Sequence, residues 1–131
     1  MEFLLQNSLV ILISVFFIIT YLFSFFEKVV NWKPTVGYYK NHFKNTFVAH
    51  KISNWILLVL LAELIVIVFL IIGFFNFVIN QSNYMLKYAF ISSAITLLML
   101  LIGQRIAKDY AGAATITVYF IVTILGIFFI K

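Results

Sequence analysis

No cysteine occurs anywhere in the chain, there is one proline, and only four residues are acidic. Without thiols, disulfide relays, iron–sulfur clusters and thiolate metal sites are excluded. Charge is scarce as well. Charged residues make up 10% of the sequence, against about a quarter in an ordinary soluble domain. Hydrophobic residues occupy 65% of its 131 positions, more apolar surface than so short a chain can bury around one core. The surplus must face lipid. A basic segment ahead of the first apolar stretch is also missing, and that stretch is too long for the core of a cleaved signal, so a retained first helix is expected.

What is present is four long apolar runs, at about residues 8–26, 55–79, 84–106 and 110–130. Each suffices to cross a hydrocarbon core of about 30 Å at about 1.5 Å per residue. The runs are continuously apolar rather than alternating, which predicts helices, since an open sheet cannot stand in lipid. Residues 80–83 and the pair Lys108-Asp109 form short links, with Asp109 placed to cap the fourth helix. Short links make antiparallel neighbours. The expected architecture is therefore an all-α integral membrane four-helix bundle, up-down-up-down, in a single domain spanning residues 1–131.

The first connection is longer. Pro34 disfavours helix at Lys33 and is expected to end any continuation of the first span. Beyond it Val36, Tyr39, Phe43 and Phe47 recur at helical spacing, while Lys40, His42, Lys44 and Asn45 fall elsewhere. This pattern predicts a short interfacial amphipathic helix over about residues 36–48, with Lys40, Lys44 and Lys51 meeting lipid headgroups. The +5 formal charge suits membrane topology and anionic lipid better than nucleic acid. Lys28, Lys33, Lys40, Lys44, Lys51, Arg105 and Lys108 share one side of the expected membrane, and only Lys87 and Lys131 lie on the other. The excess of basic residues predicts both basic loops in the cytoplasm and both termini outside.

One acid stands inside an apolar run. Glu63 falls roughly 14–16 Å from the cytoplasmic end of the second span, close to mid-bilayer. A carboxylate there costs at least about 2.5 kcal/mol unless it is neutralised, paired or wet. Thr20, Tyr21, Thr96 and Tyr119 are expected at similar depth, so a polar layer around Glu63 is a candidate site. It would be either a proton-coupled or quinone-headgroup site, or a buried cluster that fixes helix register. Gln104, Arg105, Lys108 and Asp109 form a helix-end motif, in which Arg105 can pair with Asp109 or reach lipid phosphate. Gly103, Ala107 and the small residues 111–114 allow close helix packing beside it. His42 and His50 lie eight residues apart in the connection with no third ligand beside them, so no metal site is expected.

The segment Gly103-Gln104-Arg105-Ile106-Ala107-Lys108-Asp109-Tyr110-Ala111-Gly112-Ala113-Ala114 resembles a stretch of the DoxX family of small four-helix bacterial membrane proteins. Ser24-Phe25-Phe26-Glu27-Lys28 leading into Trp32-Lys33 resembles that family's first-helix exit, and Glu63 with Gly73 resembles its acidic residue and later glycine. The chain departs from the family in lacking a glycine before Lys28 and in carrying large residues after Glu63. The resemblance implies a bacterial inner-membrane protein of a family that includes a small subunit associated with quinol oxidase and thiosulfate:quinone oxidoreductase. Three functions follow as expectations: a non-catalytic accessory or assembly subunit of a larger complex; a redox-linked subunit binding quinone near Glu63, its one possible cofactor; and, more weakly, proton or small-solute transport. Transport fits poorly with one midplane acid and no internal repeat.

Overall fold

The computed structural model describes residues 1–130; Lys131, counted above among the basic residues, lies outside the described residues. The chain runs α1 (Glu2–Gln6), α2 (Ser8–Val30), α3 (Trp32–His42), a single 3₁₀ turn (Ala49–Lys51), α4 (Ile52–Asn80), α5 (Tyr84–Ile106) and α6 (Tyr110–Phe129). Among the described residues there is no strand. Four of these helices, with the 3₁₀ turn leading into α4, are long and apolar enough to cross a membrane. Only 22% to 33% of each one's most apolar window is buried by protein, so most of that surface is left for lipid. This fits a multi-pass membrane protein.

The spans begin and end where local chemistry permits. α5 starts at Tyr84 and ends at Ile106, and Asp109 caps α6 by accepting a hydrogen bond from Gly112 N at 2.9 Å. This cap satisfies one of the donors that a helix start leaves unpaired. α4 ends on Gln81, a left-handed residue at φ 54, which turns the chain within three residues into α5. Lys108 makes a second left-handed turn, at φ 59, between α5 and α6.

Several boundaries around the first connection differ from the sequence expectation, including the start of α4 at Ile52 rather than about residue 55. α2 continues beyond residue 26 to Val30, so Lys28 belongs to the helix rather than to a loop. Pro34 does not separate the segments. The break falls earlier, at Asn31 (φ −106, ψ 47), and Lys33 and Pro34 sit in the first turn of α3. The physical reason is that first-turn residues have no intrahelical partner for their N–H, so proline forfeits nothing there. α3 covers Trp32–His42, and residues 43–48 form turns rather than its continuation.

Helix contacts follow apolar stripes at alternating spacings of three and four. On α2 the inward residues are Val10, Ser14, Phe17 and Tyr21; on α4 they include Ile56, Leu60, Glu63, Ile67 and Leu70. One core joins α2, α4 and α5 through Phe17, Tyr21, Leu70, Phe77, Leu86 and Phe90. A second joins the connection to α4 through Phe43, Val48, Ile52, Ile56 and Leu60. Gly73 lets α4 approach α5 closely: a Cβ there would stand 2.6 Å from Leu86 N and 2.7 Å from its Cα. Gly126, on α6, likewise leaves room for the Phe90 ring of α5, which a Cβ there would meet at 3.0 Å. Among the small residues beside the helix-end motif, Gly112 is equally tight, its Cβ position 2.7 Å from Asp109 Oδ2 and 2.9 Å from Gln104 Nε2, whereas a Cβ on Gly103 would meet nothing nearer than the Phe43 ring at 3.8 Å.

Candidate ligand cavity at the Lys28–Glu63 pair

The heptad-like stripe of α2 does not stop at Tyr21. Three residues on comes Ser24, and four beyond that Lys28, both on the face that meets α4. Glu63, only 2% exposed, receives both groups on one oxygen. Ser24 Oγ donates to Glu63 Oε1 at 3.0 Å, and Lys28 Nζ donates to the same atom at 2.9 Å. Lys28 also donates to Ser24 Oγ at 2.6 Å and reaches the Ser24 carbonyl at 3.4 Å. The acid is therefore paired with a cation from the neighbouring helix. Its second oxygen, Oε2, is buried without a partner.

The other residues proposed for a polar layer are placed differently. Tyr21 anchors a separate group: its hydroxyl is 2.8 Å from Ser93 Oγ, and Ser93 Oγ is 3.5 Å from Thr123 Oγ1, linking α2, α5 and α6. Thr20 and Thr96 turn back onto their own helices, donating to the Phe16 and Ser92 carbonyls at 2.8 and 2.9 Å. Tyr119 packs its ring 5.9 Å from Phe16 and accepts from Thr123 through its carbonyl at 3.0 Å. None of the four bonds to Glu63. Ser24 and Lys28 do, and the sequence reading passed over them in this role. Helical spacing from Val10 through Tyr21 was the signal that would have placed them inward.

A cavity of about 310 Å³ opens beside the pair. Its polar lining comes from Ser24, Lys28 and Glu63, with Tyr39 from α3 and Gln104 from α5. Its walls are apolar and aromatic, among them Phe43, Trp55, Ile56, Val59, Met99 and Ile116. α3 is thus part of the cavity, and its side chains are fixed there by a ring cluster. Tyr39 lies 5.1 Å from Tyr38 and 6.3 Å from Phe43, centre to centre. Burial pushes the Tyr39 hydroxyl above its ordinary pKa, and the charges of Tyr38 and Glu63 act in the same direction.

The helix-end motif forms a second junction. His42 Nε2 is 3.1 Å from Gln104 Oε1 and 3.5 Å from Asp109 Oδ2, so it ties the end of α3 to the α5–α6 turn. Asp109 is engaged by this histidine and by its own cap, not by Arg105. Arg105 instead lies over the Tyr110 ring, 5.1 Å from its centre. Lys40, Lys44 and Lys51 are exposed, on α3, the turns after it and the 3₁₀ turn respectively, as is Lys108. His50 is exposed on the same 3₁₀ turn. No family model, curated protein or solved structure matches the chain.

Proposed function

We propose that the chain is a redox-linked subunit of the bacterial inner membrane that holds a quinone-class ligand in the cavity beside Lys28 and Glu63. The observation that carries this reading is the meeting of a buried ion pair with an apolar, aromatic-walled space of about 310 Å³. Ligand pockets have this character: mostly apolar walls, a few convergent polar groups, and volumes from about 300 Å³ upward. A quinone has the matching shape, a flat ring with carbonyl acceptors at its edge and an apolar tail. An ion pair is a poor device for merely joining two helices, because desolvation offsets much of its attraction. Ionisable groups within a membrane instead mark binding and proton pathways. The accessory role remains within this reading, since such a subunit would hold its ligand beside redox partners in the same membrane.

The finer architecture belongs to the proposal. α2, α4, α5 and α6 run up-down-up-down as a bundle, α3 lies in the cytoplasmic interface, and the termini and the α4–α5 turn face outward. Basic residues in the α2–α4 connection and the α5–α6 turn support that orientation.

Trp55 lines the cavity and offers a direct test. In a Trp32→Phe background reconstituted in lipid nanodiscs, a short-tailed quinone should quench Trp55 fluorescence to a plateau. The neutral double variant Lys28→Met/Glu63→Gln should weaken that binding about tenfold or more. Quenching that climbs in proportion to quinone in the bilayer, with no plateau, would overturn the reading.

A further inference from the structure

We infer that Tyr39 is the residue that donates a hydrogen bond to the ligand's carbonyl oxygen, setting the cavity's preference for an acceptor headgroup. This rests on the quinone-class reading and names the contact that reading leaves open. Most donors among the polar lining residues are already engaged. Ser24 Oγ is spent on Glu63. The Lys28 ammonium has three protons and three acceptors within 3.4 Å, the carbonyl and hydroxyl of Ser24 and Glu63 Oε1. Gln104 gives its carbonyl oxygen to His42, and its amide nitrogen is turned toward α6, 2.9 Å from where a Cβ on Gly112 would stand.

Tyr39 remains. Its hydroxyl has no hydrogen-bond partner among the described residues, yet it keeps open surface, because Glu63 Oε2 is the one sealed polar atom found without a partner there. Trp55 offers another unpartnered donor in the wall, but it is 47% exposed and lies eight residues, about 12 Å along α4, from Glu63. Tyr39 lines the same cavity as Lys28 and Glu63 and is half-buried, the more enclosed of these two free donors. A headgroup held in the cavity beside the ion pair therefore has Tyr39 as its free donor.

The donor is also held in place before any ligand arrives. Rings of Tyr38, His42 and Phe43 surround Tyr39, and His42 is itself fastened to Gln104 on α5. A fixed donor loses little freedom on binding, which is how one hydrogen bond becomes discrimination rather than mere contact. Its raised pKa keeps it protonated, and so a donor, throughout the physiological range.

The test is Tyr39→Phe in the Trp32→Phe background, in nanodiscs, titrated with a short-tailed quinone and with a ring hydrocarbon of the same tail lacking carbonyls. The hydroxyl's loss should weaken quinone binding about fivefold to tenfold, the worth of one hydrogen bond, and leave the hydrocarbon unchanged. Infrared spectra of the bound quinone should show a lowered carbonyl stretch that returns toward its free position in the variant. Equal quinone binding by both proteins would overturn the role of Tyr39 while leaving the cavity's function standing. Equal weakening for both compounds would overturn it too, by showing a change of shape. If the parent protein binds neither compound to saturation, the functional reading itself falls and this inference with it.

Discussion

Lys28 Nζ lies 2.9 Å from Glu63 Oε1, joining residues 35 apart in sequence on two neighbouring helices. Both side chains are largely withdrawn from the surface, at 14% and 2% exposure, so neither charge has water as a ready substitute for the other. Removing one partner leaves a charge stranded. Glu63→Gln and Lys28→Met should each cost about 3 kcal/mol of stability, and the double variant should recover most of it. Thermal unfolding in a mild detergent measures this. A double variant as unstable as the sum of the two singles would show that the pair does not act as a unit.

Gly73 and Gly37 make a contrasting pair. A methyl group on Gly73 would collide with the Leu86 backbone at 2.6 Å, and backbone cannot swing aside, so Gly73→Ala should cost about 2 kcal/mol. Gly37, on α3, has nothing within 4 Å of its Cβ position, so Gly37→Ala should be neutral or stabilise by up to about 1 kcal/mol. Unfolding midpoints of the two variants should move in opposite directions, or the second not at all.

Asp109 performs two tasks that substitution can separate. Asp109→Ala removes the cap on Gly112 N and the partner of His42, and should cost about 1 kcal/mol or somewhat more. Asp109→Asn keeps an oxygen for the cap and loses only the charge near His42. Helix content and thermal midpoint of the asparagine variant should stay nearer to the parent than those of the alanine variant.

Tyr21→Phe deletes the hydroxyl that meets Ser93. Hydrogen bonds between membrane helices are worth about 0.6 kcal/mol on average, so the loss should be slight and far below that at Lys28. A large loss would mean that the Tyr21–Ser93–Thr123 group, and not the ion pair, dominates the polar interior.

Orientation can be read chemically because the chain has no cysteine of its own. Lys44→Cys should react with a membrane-impermeant thiol reagent only from the cytoplasmic side, and Ser82→Cys only from outside. Reaction of both from one side would contradict the alternating path of the helices.

The apolar runs make the four long helices legible in the sequence, because lipid demands length and hydrophobicity and both are written locally. α5 was placed at residues 84–106, the span it occupies. The capping role of Asp109 was equally local and equally readable. What escaped was pairing across helices. Lys28 reads as a loop charge when the first span is stopped at residue 26, since a lysine near a membrane end ordinarily anchors to headgroups. Only the direction of the α2 stripe turns it inward, and only the structure brings Glu63 to meet it. Thr20 and Thr96 illustrate the reverse error: equal depth does not imply a shared face, and a threonine hydroxyl can satisfy itself on its own helix.

Asn31 is the single residue between α2 and α3. Lys28 lies three positions before it and Tyr39 eight positions after it, each fixed within its own rigid rod. The cavity's cation and its phenol are thus carried on two rods joined at one asparagine. With α3 also fastened at its far end, through His42 to Gln104 and Asp109, the joint is braced on both sides and holds the two groups at one spacing.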